Sequence, residues 1–386
     1  MARTPNVNPK PSGDASPAGT SGVLPSQALR ALVASGIVRT APEAAAVDGA
    51  QIQPASIDLR LGPDAYRIRA SFLPGSGTRV EDKLRDLTLH RFALGAEGKV
   101  LEVGCVYLIP LLEGLSLPPG IEAFANPKSS TGRLDVFTRV IADGVTAFDK
   151  IPKGFSGALW LEVCPQSFPI LVREGTRLSQ LRFRHGEPVT DDAALLALHQ
   201  QQGLVTGPDL ASHHADISGG IALSVDLSGD GGGLIGYRAK RHSGVIDVDA
   251  PGSCETLDFW EPILSRGTRR MILDPDQFYI LASKEAVHIP PTHAAEMMPF
   301  NPLVGEFRVH YAGFMDPGFG HAEAGGSGSR IVLEVRSHKV PFILDHGQII
   351  GRLVYERMSE IPDKLYGAGL GSNYQAQGLK LSKHFR

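Results

Sequence analysis

Cysteine is scarce and scattered. Only Cys105, Cys164 and Cys254 occur in 386 residues, far apart and odd in number. That excludes a disulfide framework and a paired-cysteine zinc knuckle, and it predicts a reducing compartment. Long hydrophobic runs are missing too, since no apolar stretch approaches the ~20 residues that cross a bilayer. The N-terminus has no apolar signal-peptide core, so the expected location is cytoplasmic, with no membrane partner. A basic excess is also lacking. Lys and Arg number 38 against 41 Asp and Glu, a net charge of −3, which argues against polymeric nucleic acid as a partner. What remains is the composition of an ordinary globular protein, 42% apolar and 20% charged. The 44 Gly and 28 Pro suit short strands joined by turns, and the length suits two domains.

Residues 1–22 are rich in Pro, Gly, Ser and Ala and predict a disordered tail. Residues 24–33 predict a short helix with Ser26 as N-cap and Leu29, Leu32 and Val33 on one face. Residues 56–61 alternate apolar and polar, which predicts a half-buried strand ended by Gly62 and Pro63. Strand patterns recur at 106–110, where Pro110 reads as the end, and at 121–125, 158–163, 168–172 and 178–183. Such spacing predicts a mainly β fold, a barrel or jelly roll with a few short helices. A short helix is expected over 191–199, ahead of a linker.

The second half repeats the first. Residues 278–281 follow 106–109 at an offset of 172 (278 − 106), as Leu333-Glu334-Val335 follows Leu161-Glu162-Val163 and Gly347 follows Gly175. So many landmarks at one offset predict an internal duplication. The halves differ where chemistry could sit. Lys128, Ser129, Ser130, Thr131, Gly132 and Arg133 crowd a cation, hydroxyls, a glycine and a guanidinium into one segment, a donor set suited to a polyphosphate. Taken alone, the segment reads more readily as a polar turn beside a surface arginine. No G-x-x-x-x-G-K-[ST] surrounds it, and the second half has 300–306 without Ser-Ser or arginine. Conversely, the second half has a clean turn at 311–320 that the first half shows only loosely at 145–157. His321-Ala322-Glu323 imitates part of a zinc-deaminase signature, but no Cys-x-x-Cys exists, so it reads as a solvated loop. The glycine cluster at 228–233 reads as a flexible hairpin loop, and His213, His214 and His310 as surface or turn residues.

Ser-Ser-x-x-Arg-Leu at 129–134, Ala-Gly-Phe-Met-Asp-Pro-Gly-Phe-Gly at 312–320 and Val-Leu-Glu at 332–334 resemble the dCTP deaminases, which share one β-barrel superfamily with the trimeric dUTPases. The strand at 53–62, Pro169-Ile170-Leu171 with Gly175, and a tail with Tyr366, Tyr374 and Gln377 are similar to the same family. The resemblance covers most of 24–386 and implies two tandem dUTPase-like domains, 23–200 and 201–386. It implies that Lys128, Ser129, Ser130, Thr131, Gly132 and Arg133 bind the triphosphate, with Ser129 and Arg133 also polarising the reacting centre. Ala312 and Asp316 would hold base and sugar. Glu334 would activate water, flanked by Val332 and Leu333, and Tyr366, Tyr374 and Gln377 would form a lid. Asn373 stands where the family usually has lysine. Family sites lie between subunits, so a composite site is expected, with Glu162 a relic or, alternatively, the base. The implied reaction is dCTP to dUTP and ammonia, feeding dUMP and dTTP synthesis. It would run without zinc, with Mg²⁺ held only through the triphosphate, in a homo-oligomer, trimer favoured. Alternatives are a dUTP pyrophosphatase, a bifunctional enzyme giving dUMP, and a non-catalytic nucleotide-sensing module.

Overall fold

The computed structural model describes residues 20–207, 215–229, 233–299, 307–309, 313–337, 339–367, 374–375 and 377–386. Among them the protein is mainly β with a few short helices, and no described helix is long and apolar enough to cross a membrane. Ala312, Asn373, His213, His214 and His310 lie outside the described residues, as does the segment 300–306.

The larger sheet of the first half runs Thr88–Ala93, Asp64–Ile68, Val106–Ser116, Ser156–Pro165, Val136–Ala142. That of the second half runs Trp260–Leu264, Leu234–Ala239, Phe278–Val287, Ser329–Ser337, Phe307–Val309, in the same order of pairing. Glu162 lies opposite Leu108, and Glu334 opposite Ile280, each pair 172 positions on from its counterpart (334 − 162 and 280 − 108). The smaller sheets match as well: Ser179–His185, Ile121–Pro127 and Lys150–Ile151 answer Ile349–Arg357, His293–Pro299 and Phe314–Met315.

Several local expectations shift. The tail does not extend to residue 22, because Gly22–Val23 pairs with Ser179–His185. A Cβ at Gly22 would collide with the backbone of Met358 and Ser359, so only glycine permits that close approach. The helix Ser26–Ala34 is capped by the Pro25 backbone, not by Ser26, whose hydroxyl donates to Asp363 instead. Pro110 does not end its strand, which continues to Ser116. The proline sits where the register slips between Ala158 and Trp160, a place that tolerates a missing N–H. Ile57–Leu59 is buried throughout rather than on one face. The helix Asp192–Gln202 forms as expected, with the Asp191 carboxylate accepting from Ala194 N at 2.8 Å.

The two halves share a core. Phe168 of the first half packs at 5.3–5.7 Å against Trp260 and Phe259 of the second, and Phe385 joins them from the C-terminus. Burial of each such ring stabilises by about 1.5–3 kcal/mol. Strand Ile246–Asp247 also adds in parallel to Ile170–Val172, and Arg173 grips Asp247 with two bonds of 2.7 and 2.8 Å. This contact fixes how the faces that carry polar side chains meet.

Candidate active site

The polar segment of the first half is a single helical turn, Ser129–Gly132, at the end of strand Ile121–Pro127. Thr131 and Gly132 N–H groups donate back to Lys128 O at 2.8 and 3.0 Å. Both residues are buried in that turn and are not among those lining the adjoining cavity. Lys128, Ser129, Ser130 and Arg133 do line it. The Lys128 amine is paired with Asp58, which the buried strand Ile57–Leu59 brings into the same cavity.

The opposite wall comes from the second half. Strand Ser329–Ser337 alternates, so Glu334 and Val332 face the cavity while Leu333 is buried in the second-half core and does not reach it. Glu334 is 5% exposed, and its carboxylate stands 4.0 Å from the Arg133 guanidinium. Burial pushes the Glu334 carboxyl up to about 8, with the Arg133 charge working against that rise. Two residues on, Arg336 pairs with Asp135 of the first half, which ties this strand across the junction.

Asp316 follows strand Phe314–Met315 and is held by Arg182, a fully buried first-half side chain. Arg182 donates to Asp316 Oδ1 at 3.3 Å, to Met315 O at 3.3 Å and to Ala295 O at 3.1 Å, and its guanidinium lies 4.0 Å over the Phe314 ring. Burial raises the Asp316 pKa while Arg182 opposes the rise. The C-terminal segment closes the third side. Tyr374 stacks 3.9 Å from the Arg133 guanidinium, Arg133 donates to Lys380 O at 3.0 Å, and Gln377 Nε2 donates to Arg330 O at 3.1 Å. Tyr366 packs on Phe319 at 5.5 Å, and its N–H donates to Pro317 O. Together these walls enclose about 270 Å³.

The register-equivalent glutamate of the first half has another environment. Glu162 is buried, but Arg139 directly opposite donates to it at 2.5 and 2.9 Å, and that guanidinium lies 3.6 Å over Phe148. Glu162 does not line the cavity. His321 caps a short turn, its ring accepting from Glu323 N at 3.3 Å, far from a ligand role.

Sequence reasoning missed Asp58, Gln180, Arg182 and Lys383. A signal for Arg182 did exist. Register pairs Arg182 with Phe124 and Val354 with Glu296, so corresponding positions of the two halves hold a buried arginine and a valine.

Profiles of the "2'-deoxycytidine 5'-triphosphate deaminase (DCD) N-terminal domain" and "C-terminal domain" match residues 20–187 and 191–385. A curated protein of Halorubrum lacusprofundi named "dCTP deaminase" is 29% identical over 134 residues, 34% of this chain and 63% of its own length, so the chain spans less than two thirds of that relative. One of Acidothermus cellulolyticus named "dCTP deaminase, dUMP-forming" is 32% identical over 168 residues, 43% of this chain and 82% of that protein. Among solved structures, a 2'-deoxycytidine 5'-triphosphate deaminase from Agrobacterium tumefaciens is 59% identical, covers 88% of this chain and 99% of its own, and superposes with a TM-score of 0.82.

Proposed function

This chain belongs to the 2'-deoxycytidine 5'-triphosphate deaminase family of enzymes, and from that premise we propose that it hydrolyses dCTP to dUTP and ammonia at a site composed from its two halves. The observation that carries the reading is buried Arg133 of the first half facing buried Glu334 of the second in the wall of one cavity. A carboxyl whose proton leaves near neutral pH is suited to take a proton from water and give it back. Glu334 accepts the proton as the water oxygen bonds to cytosine C4. It then delivers a proton to the C4 amino group, which departs as ammonia when the tetrahedral centre collapses. Arg133 and Ser129 stabilise charge at that centre, and Lys128 and Ser130 hold the phosphates. Asp316 binds sugar and base, with Arg182 fixing its position.

Among the described residues no three His, Cys, Asp or Glu side chains cluster as a metal site. We assign Mg²⁺ to the nucleotide phosphates, and the activation of water to Glu334 because its buried carboxyl lines the cavity. Activity that survives zinc chelation with Mg²⁺ restored supports this assignment. The duplication, the dUTPase-like barrel in each of 23–200 and 201–386, a cytoplasmic location and a trimeric assembly belong to the same proposal. Relatives named "dUMP-forming" keep a bifunctional product in play. Incubation with dCTP and Mg²⁺, with ammonia and pyrophosphate assayed separately, divides the readings. Ammonia without pyrophosphate is expected; both together mean dUMP formation, and release of neither product overturns the deaminase reading.

A further inference from the structure

Lys383 lines the same cavity as Lys128 and Ser129, although it stands three residues from the end of the chain. Its position is built rather than loose. Ser382 on one side donates to Ser130 O at 2.8 Å, and His384 on the other is held at 2.9 Å from Val248 O. Lys383 itself receives Gly252 N–H on its carbonyl at 3.0 Å and donates its own N–H to the Tyr374 hydroxyl at 3.2 Å. Phe385 then anchors in the aromatic cluster at the junction of the halves. Residues 377–386 are thus a strap pinned at 382–386.

Resting on the dCTP reading, we propose that Lys383 is a phosphate-binding residue that supplies, from the pinned C-terminus, a second cation to the distal end of the triphosphate. Among the described residues its amine makes no hydrogen bond or ion pair, whereas Lys128 is already matched by Asp58. Burial and the neighbouring Lys128 lower the Lys383 pKa, while Asp58 and Asp249 work in the opposite sense. A polyanion beside both lysines would offset that repulsion.

The test is calorimetric titration of the whole protein, wild type, Lys383→Ala and Lys383→Arg, with dCTP, dCDP and dCMP. One lost charge-assisted contact should weaken dCTP binding by about tenfold or more. The expected loss shrinks for dCDP and vanishes for dCMP, and arginine restores most of the dCTP affinity. A structural role in holding the strap would instead weaken all three ligands alike. That result, or unchanged dCTP affinity, overturns the assignment alone. Wild-type protein that binds none of the three overturns the nucleotide-site reading together with it.

Discussion

Glu162 and Glu334 occupy the same register in their sheets yet carry different chemistry, because of the cation each one meets. Arg139 closes on Glu162 directly, so that charge is matched and spent. Arg133 stays 4.0 Å from Glu334 and is shared with Tyr374 and Lys380 O, so burial dominates and the proton is held to about 8. The folded value lies above the ordinary 4.5, so the native state holds this proton more tightly than the unfolded chain. Stability from this group is therefore complete below about 4.5 and lost as pH rises through about 8. Glu334→Gln should flatten that loss in urea melts across this window. For catalysis the sign reverses, since the base must be ionised. We expect kcat/KM to climb with pH through about 8, and Glu334→Gln to lower it by roughly 10²–10⁴ with dCTP binding kept. Glu162→Gln should keep turnover; loss of activity in that variant alone would move the base to the first half. The tripeptide Leu-Glu-Val was legible as a site only by resemblance. Nothing local separates it from its first-half copy, because Arg139 and Arg133 approach from elsewhere in the fold.

At the level of elements, the hairpin ending in Asp316 is held in place by a strand of the other half. Arg182 reaches from Ser179–His185 to two carbonyls and to the carboxylates of Asp316 and Glu356. Replacing it with leucine strands the buried Asp316 carboxylate without its cation, while Glu356 keeps Arg184 at 2.6 Å, and the uncompensated charge costs about 3–5 kcal/mol. Urea unfolding of Arg182→Leu should show that loss, with a raised KM for dCTP. A change below about 1 kcal/mol would mean the clamp is not structural. Strand existence was readable from apolar alternation, as at 121–125 and 178–183. Burial of Asp58 and Arg182 was not, because alternation marks two faces and says nothing of a second sheet that covers the polar one. Likewise, the pinning of the strap joins residues 252 and 136 positions apart, beyond any local signal.

Over the whole molecule, the halves form one unit. The core of the first half takes in Trp260, Phe278 and Ile280 from the second, and Arg336–Asp135 and Arg173–Asp247 cross the junction. Calorimetric melting should therefore give one cooperative transition; two resolved transitions would mean independently stable halves. A shared offset between the two halves was legible in the sequence, and so was the asymmetry of their motifs. What could not be read was whether the complementary motifs meet within one chain or between chains, since both arrangements use the same residues. In the structure Arg133 and Glu334 of a single chain face each other. The most direct test of that claim is ammonia release from co-expressed Arg133→Ala and Glu334→Gln variants, each inactive alone. A site within one chain predicts that the mixture stays inactive with dCTP, because no chain carries both groups. Recovery of deamination in the mixed protein would show that the site is assembled between chains and would contradict the account.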